Sequence, residues 1–325
     1  MRVRLGTGVP SRRGAAGFAL SLWPPPLPPL VALLLLMAPV HAIERNAAPR
    51  DAAPLASRTF RDDLGREVPL AQPPQRIVSL LPSITETLCA LDACERIVAT
   101  DQFSDWPASV RSLPKVGGLE DAEIETIVRL KPDVVLLSRT QRITERLAQL
   151  GIPSFALNSE TYVSIAHTVD VLGAVLGEPA RAAQLERKIG SAVDTIGAQA
   201  RARRRGPAPT VYFEADRTPY AAGPNSFIGE LLTRLGAHNI VSADLGPFPR
   251  LNPEYIVRHD PDIIIVDAGD APHLAERPGW DRLRAVRERH LCSLTQAVRD
   301  TVVRPGPRVG EGMQALADCL ARWAP

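Results

Sequence analysis

The segment Glu125-Thr126-Ile127-Val128-Arg129-Leu130-Lys131-Pro132-Asp133-Val134-Val135 returns in the second half of the chain as Glu254-Tyr255-Ile256-Val257-Arg258-His259-Asp260-Pro261-Asp262-Ile263-Ile264. Glu, Ile, Val, Arg, Pro and Asp recur in one register. Proline excludes the right-handed helical conformation from the residue before it, so each copy predicts a helix that stops at the proline and a buried β-branched strand that follows. One such junction is common. Two, at matching places in similar halves, predict duplicated lobes.

Outward from the first copy, strands are expected over 76–81, 96–100, 133–137 and 154–157, with helices over 123–130 and 143–150, after a short hairpin at 59–69. Ser83-Ile84-Thr85-Glu86 has the Ser-x-x-Glu form of a helix capping box. Around the second copy, strands over 210–214, 262–266 and 291–294 alternate with helices over 227–235, 253–259, between 273 and 289, and over 309–323. Strand–helix alternation implies parallel sheets covered on both faces. Between the halves, 162–204 is helical throughout except near 177–179, and its second part would be ~36 Å long, enough to cross from one lobe to the other. The expected organisation is 58–161 for an N-terminal α/β lobe, 162–206 for a helical segment and 207–325 for a C-terminal α/β lobe.

The amino terminus carries Arg2, Arg4, Arg12 and Arg13 and no acid, then an apolar run over 30–37, then Val40-His41-Ala42. A basic start, an apolar run too short to span a bilayer and small residues before a cleavage point describe a secretory signal, 1–42, followed by an Ala- and Pro-rich tether, 43–57. Without the signal's arginines the formal charge changes from +2 to −2, which gives nucleic acid no reason to bind. Four cysteines in an exported chain predict two disulfides, Cys89–Cys94 and Cys292–Cys319, each pair being close in sequence and within one half. No Cys-x-x-Cys or nearby histidine suggests a metal, and no cysteine follows the apolar run to take a lipid anchor.

Dinucleotide, phosphate-loop, acyl-transfer and zinc-protease signatures are absent, so an enzyme reading has no nucleophile to name. Aromatics make up only 5% of the chain, yet Phe103 and Trp106, then Tyr220 and Phe248, fall at expected strand-to-helix loops, where open α/β sheets form their ligand crevice. Each alone reads equally well as lobe packing.

Together with these, Arg76-Ile77-Val78-Ser79-Leu80, Phe103-Ser104-Asp105-Trp106-Pro107, Pro219-Tyr220-Ala221-Ala222-Gly223 and Arg304-Pro305-Gly306-Pro307-Arg308 resemble the helical-backbone solute-binding proteins of importers for cobalamin, haem and ferric siderophores. The likeness is closest to the cobalamin-binding branch. It implies a class III periplasmic binding protein fold, two Rossmann-like lobes joined by a long interlobe helix. A periplasmic, monomeric, non-enzymatic protein without cofactor is implied, one that carries a corrinoid to an ABC permease. By the same resemblance Phe103, Tyr220 and Phe248 line the cleft, and Asp300 and Arg304 add polar contacts from a loop before the last helix. Glu125 and Glu254 would dock against permease arginines. The alternative for these glutamates is a solvated helix-face pair with Arg129 and Arg258, and for Asp300 and Arg304 a mutual i, i+4 pair. Cobalamin-binding relatives often place tryptophans after the first lobe's strands, where this chain has Leu119 and Ser138. A haem or ferric-siderophore carrier, or a bilobal tetrapyrrole chelatase-like enzyme with a histidine and carboxylate in the cleft, are the rival readings.

Overall fold

The computed structural model describes residues 58–323 apart from Leu119, Thr218 and Pro219. The expected signal and tether lie outside the described residues. The chain opens with an antiparallel hairpin, β1 (Arg58–Arg61) and β2 (Glu67–Leu70). The first lobe follows as β3 (Ile77–Ser79), α1 (Pro82–Ala90), β4 (Ile97–Thr100), α2 (Ile124–Leu130), β5 (Val134–Ser138), α3 (Thr144–Gln149) and β6 (Ser154–Leu157). Its sheet is parallel, in the order β4-β3-β5-β6.

Two helices come next, α4 (Tyr162–Leu176) and α5 (Pro179–Arg203). The second lobe comprises β7 (Thr210–Asp216), β8 (Tyr220–Ala221), α6 (Phe227–Arg234), β9 (His238–Asn239), α7 (Pro253–His259), β10 (Ile263–Asp267), α8 (Arg284–Arg287), β11 (Leu291–Leu294), α9 (Gln296–Val303) and α10 (Val309–Trp323). β9, β7, β10 and β11 run parallel, with β8 antiparallel on the far end of β7. Counted within each lobe, both parallel sheets have the order 2-1-3-4. The duplication read from the sequence is therefore a duplication of topology.

The repeated segments account for part of that equivalence. α2 and α7 both end on a non-glycine residue in the left-handed region, Lys131 (φ 47°) and Asp260 (φ 38°), each ahead of the proline that forbids a further right-handed turn. The aspartate after the proline then ties its strand to the lobe's first strand. Asp133 accepts from the amides of Gln75 and Arg76 at 2.7 and 2.8 Å. Asp262 accepts from the amide and hydroxyl of Thr210 at 2.8 and 2.7 Å.

Alternate strand residues serve different cores, as the pleat requires. Ile77, Val134, Leu136, Val211, Phe213, Ile263 and Ile265 join one continuous cluster with α4, α5 and α10. Their neighbours Val78, Val135 and Leu137 pack outward under the first lobe's other helices, and Tyr212, Ile264 and Val266 do so in the second. α5 bridges the halves. Arg181 near its start pairs with Asp92 at the end of α1, and Arg201 near its end donates to the carbonyl of Arg234 in the second lobe. α4 can lie close along α5 because residue 173 is glycine: a Cβ there would overlap that of Ala182. Both expected disulfides are present, with Cα separations of 4.2 Å for Cys89–Cys94 and 5.8 Å for Cys292–Cys319.

Two sequence expectations are corrected. Ser83 caps nothing: α1 begins at Pro82, a residue suited to the first turn because it has no N–H to satisfy, and Glu86 points elsewhere. Asp300 lies within helix α9 rather than a loop, and Arg304 caps that helix.

Candidate functional site

In a 2-1-3-4 sheet the crossovers part between strands 1 and 3, which opens a crevice at their carboxyl ends. A cavity of about 840 Å³ sits there in the first lobe, floored by Leu81–Ser83 after β3, Ser138–Thr140 after β5 and Asn158–Glu160 after β6. The second lobe closes it with Phe227, Phe248 and the α9 face carrying Gln296, Arg299, Asp300 and Val303. A smaller hollow of about 330 Å³ between α5 and α10 lies away from every carboxyl strand end.

Of the predicted ligand contacts, Phe103, Phe248, Asp300 and Arg304 are brought together on this cavity, and Ser138 is on its floor. Trp106 and Tyr220 are not among the lining residues. Trp106 carries the Arg308 guanidinium 4.7 Å over its ring. Tyr220 is exposed on β8 and bridges Arg250. Leu119 lies outside the described residues.

The loop bearing Phe103 is held by buried polar groups. Asp101, fully buried, accepts from the Phe103 amide at 2.8 Å and from the Ser104 hydroxyl. Burial pushes its carboxyl above the usual range against those bonds and the nearby Lys115. Lys115, lowered by burial, donates to Thr100 Oγ1 and the Ser104 carbonyl. Phe103 itself is 51% exposed, whereas the Phe248 ring leans on Phe227 at 6.2 Å.

The charged lining is balanced, Asp105, Glu160 and Asp300 against Arg139, Arg299 and Arg304. Among the described lining residues every guanidinium is engaged. Arg139 pairs with Glu160 at 2.8 Å, and Arg299 donates to the Ala215 carbonyl at 2.8 Å. Arg304 reaches Asp105 (2.7 Å), Glu86 (3.1 Å), Asp300 (3.2 Å) and the Phe103 carbonyl (3.1 Å). Burial works against its charge, but the bonds to Asp105 and Glu86 outweigh it and raise its pKa. Burial likewise opposes the charge of Asp105, which Arg304 overcomes and holds below the usual carboxylate range. The i, i+4 pair of Asp300 with Arg304 is thus present, at the carboxyl end of α9.

Sequence reasoning missed Glu86, Arg139, Glu160 and Arg299. The one available signal for Glu86 was that it is the only charged residue of α1, among apolar and hydroxyl side chains, where a solvated carboxylate does not belong. What the lining offers is half-exposed aromatic surface, hydroxyls, amides and neutralised charge. No histidine, cysteine or lysine lines it among the described residues.

Glu125 and Glu254 are exposed at matching positions in the first turns of α2 and α7. The pairs with Arg129 and Arg258 that stood as the alternative do not form, Arg129 donating instead to Thr126 Oγ1 at 2.7 Å. Among the described residues both carboxylates are without a partner. No helix of the described residues is long and apolar enough to cross a membrane.

Comparison with known proteins agrees with this architecture. An ABC transporter substrate-binding lipoprotein of Bacillus subtilis is 28% identical over 271 residues, 81% of this chain and 85% of its own. A cobalamin-binding protein of Halobacterium salinarum is 28% identical over 278 residues, 81% of this chain and 73% of its own. A periplasmic heme-binding protein of Roseiflexus sp. RS-1 in its apo form superposes with a TM-score of 0.68 at 24% identity, over 77% of this chain and 99% of that one, and so shares the fold. The periplasmic binding protein family matches residues 77–298. A match over more than half the chain, on a duplicated α/β scaffold with a strand-end cavity, makes this protein a member of the periplasmic binding protein family of ABC-transporter solute receptors, not an enzyme.

Proposed function

We propose that the cavity captures cobalamin or a related corrinoid in the periplasm and that the monomeric protein carries it to an ABC permease, docking through Glu125 and Glu254. The observation that carries the choice of ligand is the chemistry of the lining. Haem brings an iron that seeks an axial side chain and two carboxylates that seek cations. The described lining has no histidine, tyrosine, cysteine or methionine, and of its arginines Arg139 and Arg304 are already paired with carboxylates while Arg299 is tied to a backbone carbonyl. A corrinoid carries its own cobalt ligands and a periphery of neutral amides. Glu160, Asp300, Asn158 and the hydroxyls of Ser138 and Thr140 can accept from or donate to such amides, and Phe103 and Phe248 supply apolar surface for the macrocycle. The cobalamin-binding relative supports the same reading.

Calorimetry of the mature, oxidised protein with cyanocobalamin, haemin and a ferric catecholate tests it. Saturable binding of cyanocobalamin alone is expected. Binding of haemin with a shifted Soret band, and none of cobalamin, would replace this reading with haem transport.

A further inference from the structure

Glu86 stands on α1 of the first lobe, 3% exposed, and its carboxylate is met by two arginines of the second lobe. Arg308 donates through Nε at 2.8 Å and Nη2 at 2.7 Å, one bond to each carboxylate oxygen. Arg304 adds a third bond at 3.1 Å. Two-pronged Arg–carboxylate contact is directional as well as strong, so it fixes orientation and not only proximity. Both arginines flank Pro305-Gly306-Pro307, where the proline rings leave little backbone freedom. That turn runs against α1 so closely that a Cβ on Gly306 would stand 3.3 Å from the Ser83 carbonyl. From the same junction Arg304 holds Asp105 and the Phe103 carbonyl, both on the cavity wall.

We propose that Glu86 is the positioning residue of the cleft: through Arg304 and Arg308 it sets the separation of the two lobes and seats Phe103 and Asp105, so that the ligand meets a preformed cavity. The inference rests on reading that cavity as the ligand site. α5 ties the lobes along one side only, and a rigid helix there still permits rocking. The Glu86 junction, reached by a different part of the chain, removes that freedom. Without its carboxylate two mostly buried guanidiniums, with side chains 10% and 14% exposed, are left short of counter-charge: Arg308 loses its ion-pair partner, while Arg304 loses the one carboxylate on α1 and keeps Asp105 and Asp300, so Arg308 is drawn towards water. The turn that carries them would move away from α1.

The apparent Kd of a ligand scales inversely with the fraction of protein already competent to bind. If Glu86→Gln lowers that fraction to about a tenth, Kd for cyanocobalamin rises about tenfold. Spin labels at Ala148→Cys and Ala275→Cys, exposed sites on opposite lobes, should show a broadened, longer distance distribution in ligand-free Glu86→Gln and a narrow one in its parent. A purely structural role would lower stability without moving that distribution. A cross-link gives the converse test. The Cβ of a residue 306 side chain would lie 3.4 Å from that of Ser83, close to disulfide spacing. Ser83→Cys with Gly306→Cys should therefore pin the junction, and adding Glu86→Gln to the cross-linked protein should then change Kd less than about threefold, the lobes being held in the competent state. If Glu86→Gln does not fold, Glu86→Asp, which keeps the charge but is too short to span both guanidiniums, carries the same measurements. An unchanged distance distribution overturns the proposal. Failure of every form, the parent included, to bind cyanocobalamin overturns the choice of ligand instead, and the distances still decide the role of Glu86.

Discussion

Phe103 gives the sharpest probe of the cavity, because in the ligand-free protein its ring does little for the fold. It is 51% exposed, and a phenylalanine presents ~200 Å² in all, so ~100 Å² remains for a ligand to cover. At ~25 cal/mol per Å² that surface is worth at most ~2.5 kcal/mol. With partial coverage, Phe103→Ala is expected to cost ~2 kcal/mol, a rise of ~30-fold in Kd. The heat capacity change of binding should become less negative by up to ~45 cal/mol/K, the share belonging to the same apolar area. Loss of a half-exposed ring should lower unfolding stability by less than ~1 kcal/mol, whereas Phe248→Ala should cost stability as well, since Phe248 packs on Phe227. Titration calorimetry with cyanocobalamin at several temperatures reads both quantities. A Kd within threefold of the parent, with unchanged heat capacity, would show that the ligand does not cover Phe103 and would refute the placement.

Changing Glu125 and Glu254 together to alanine should leave Kd and stability nearly unchanged, because neither carboxylate has a partner to lose among the described residues, yet slow uptake through reconstituted permease at low salt. Normal uptake at low salt would sink the docking role. Removing Cys292–Cys319, whose cysteines are 27 residues apart, should cost more than removing Cys89–Cys94, 5 apart: about 3.5 against about 2 kcal/mol in the chain-entropy model, read from urea unfolding of the Cys→Ser pairs. Asp62, buried at the hairpin, is opposed by burial but held below the usual carboxylate range by Arg66 and the Ala156 amide. A lowered folded pKa gives stability that is present above the unfolded value and lost as pH falls through the folded one. The stability gap between the parent and Asp62→Asn should therefore shrink on acidification below about pH 4, and a gap independent of pH would detach it from ionisation.

The scaffold was legible because it is written in local patterns. Helix-Pro-Asp-strand junctions, near-continuous apolar strands and the basic end of α5 each follow from chain chemistry within about ten residues. The cleft was half legible. Loop position found Phe103 and Phe248, but the same rule chose Trp106 and Tyr220, because residue type cannot say which side of a loop a ring will take. The sequence of α9 reads as a loop because only Thr301 and Val302 in it are buried, too little apolar period to signal a helix. Glu86 was misread for a related reason. Ser-x-x-Glu has a local meaning as a cap, and nothing near it in sequence announces two arginines more than two hundred residues away.

Those misreadings share a physical origin in the way a duplicated scaffold becomes a one-sided binding site. The two sheets have the same strand order and the same aspartate ties, so each lobe offers an equivalent crevice between its first and third strands. Among the described residues only the first lobe's crevice faces the main cavity. In the second lobe, Arg299 donates to the Ala215 carbonyl at the end of β7 and lines both the main cavity and a separate hollow of about 340 Å³, while Arg277 grips the buried Glu214 at 2.5 and 2.9 Å. Arginines from outside the repeat have thus claimed that lobe's strand ends, and α9 presents its own face to the cavity instead. Residues common to both lobes build the frame and the paired outer glutamates. Residues found in one lobe only, Phe103, Phe248, Arg299 and Arg304, line the cavity, with Glu86 bracing it through Arg304, which is why symmetry in the sequence locates the fold and departures from symmetry shape the cavity.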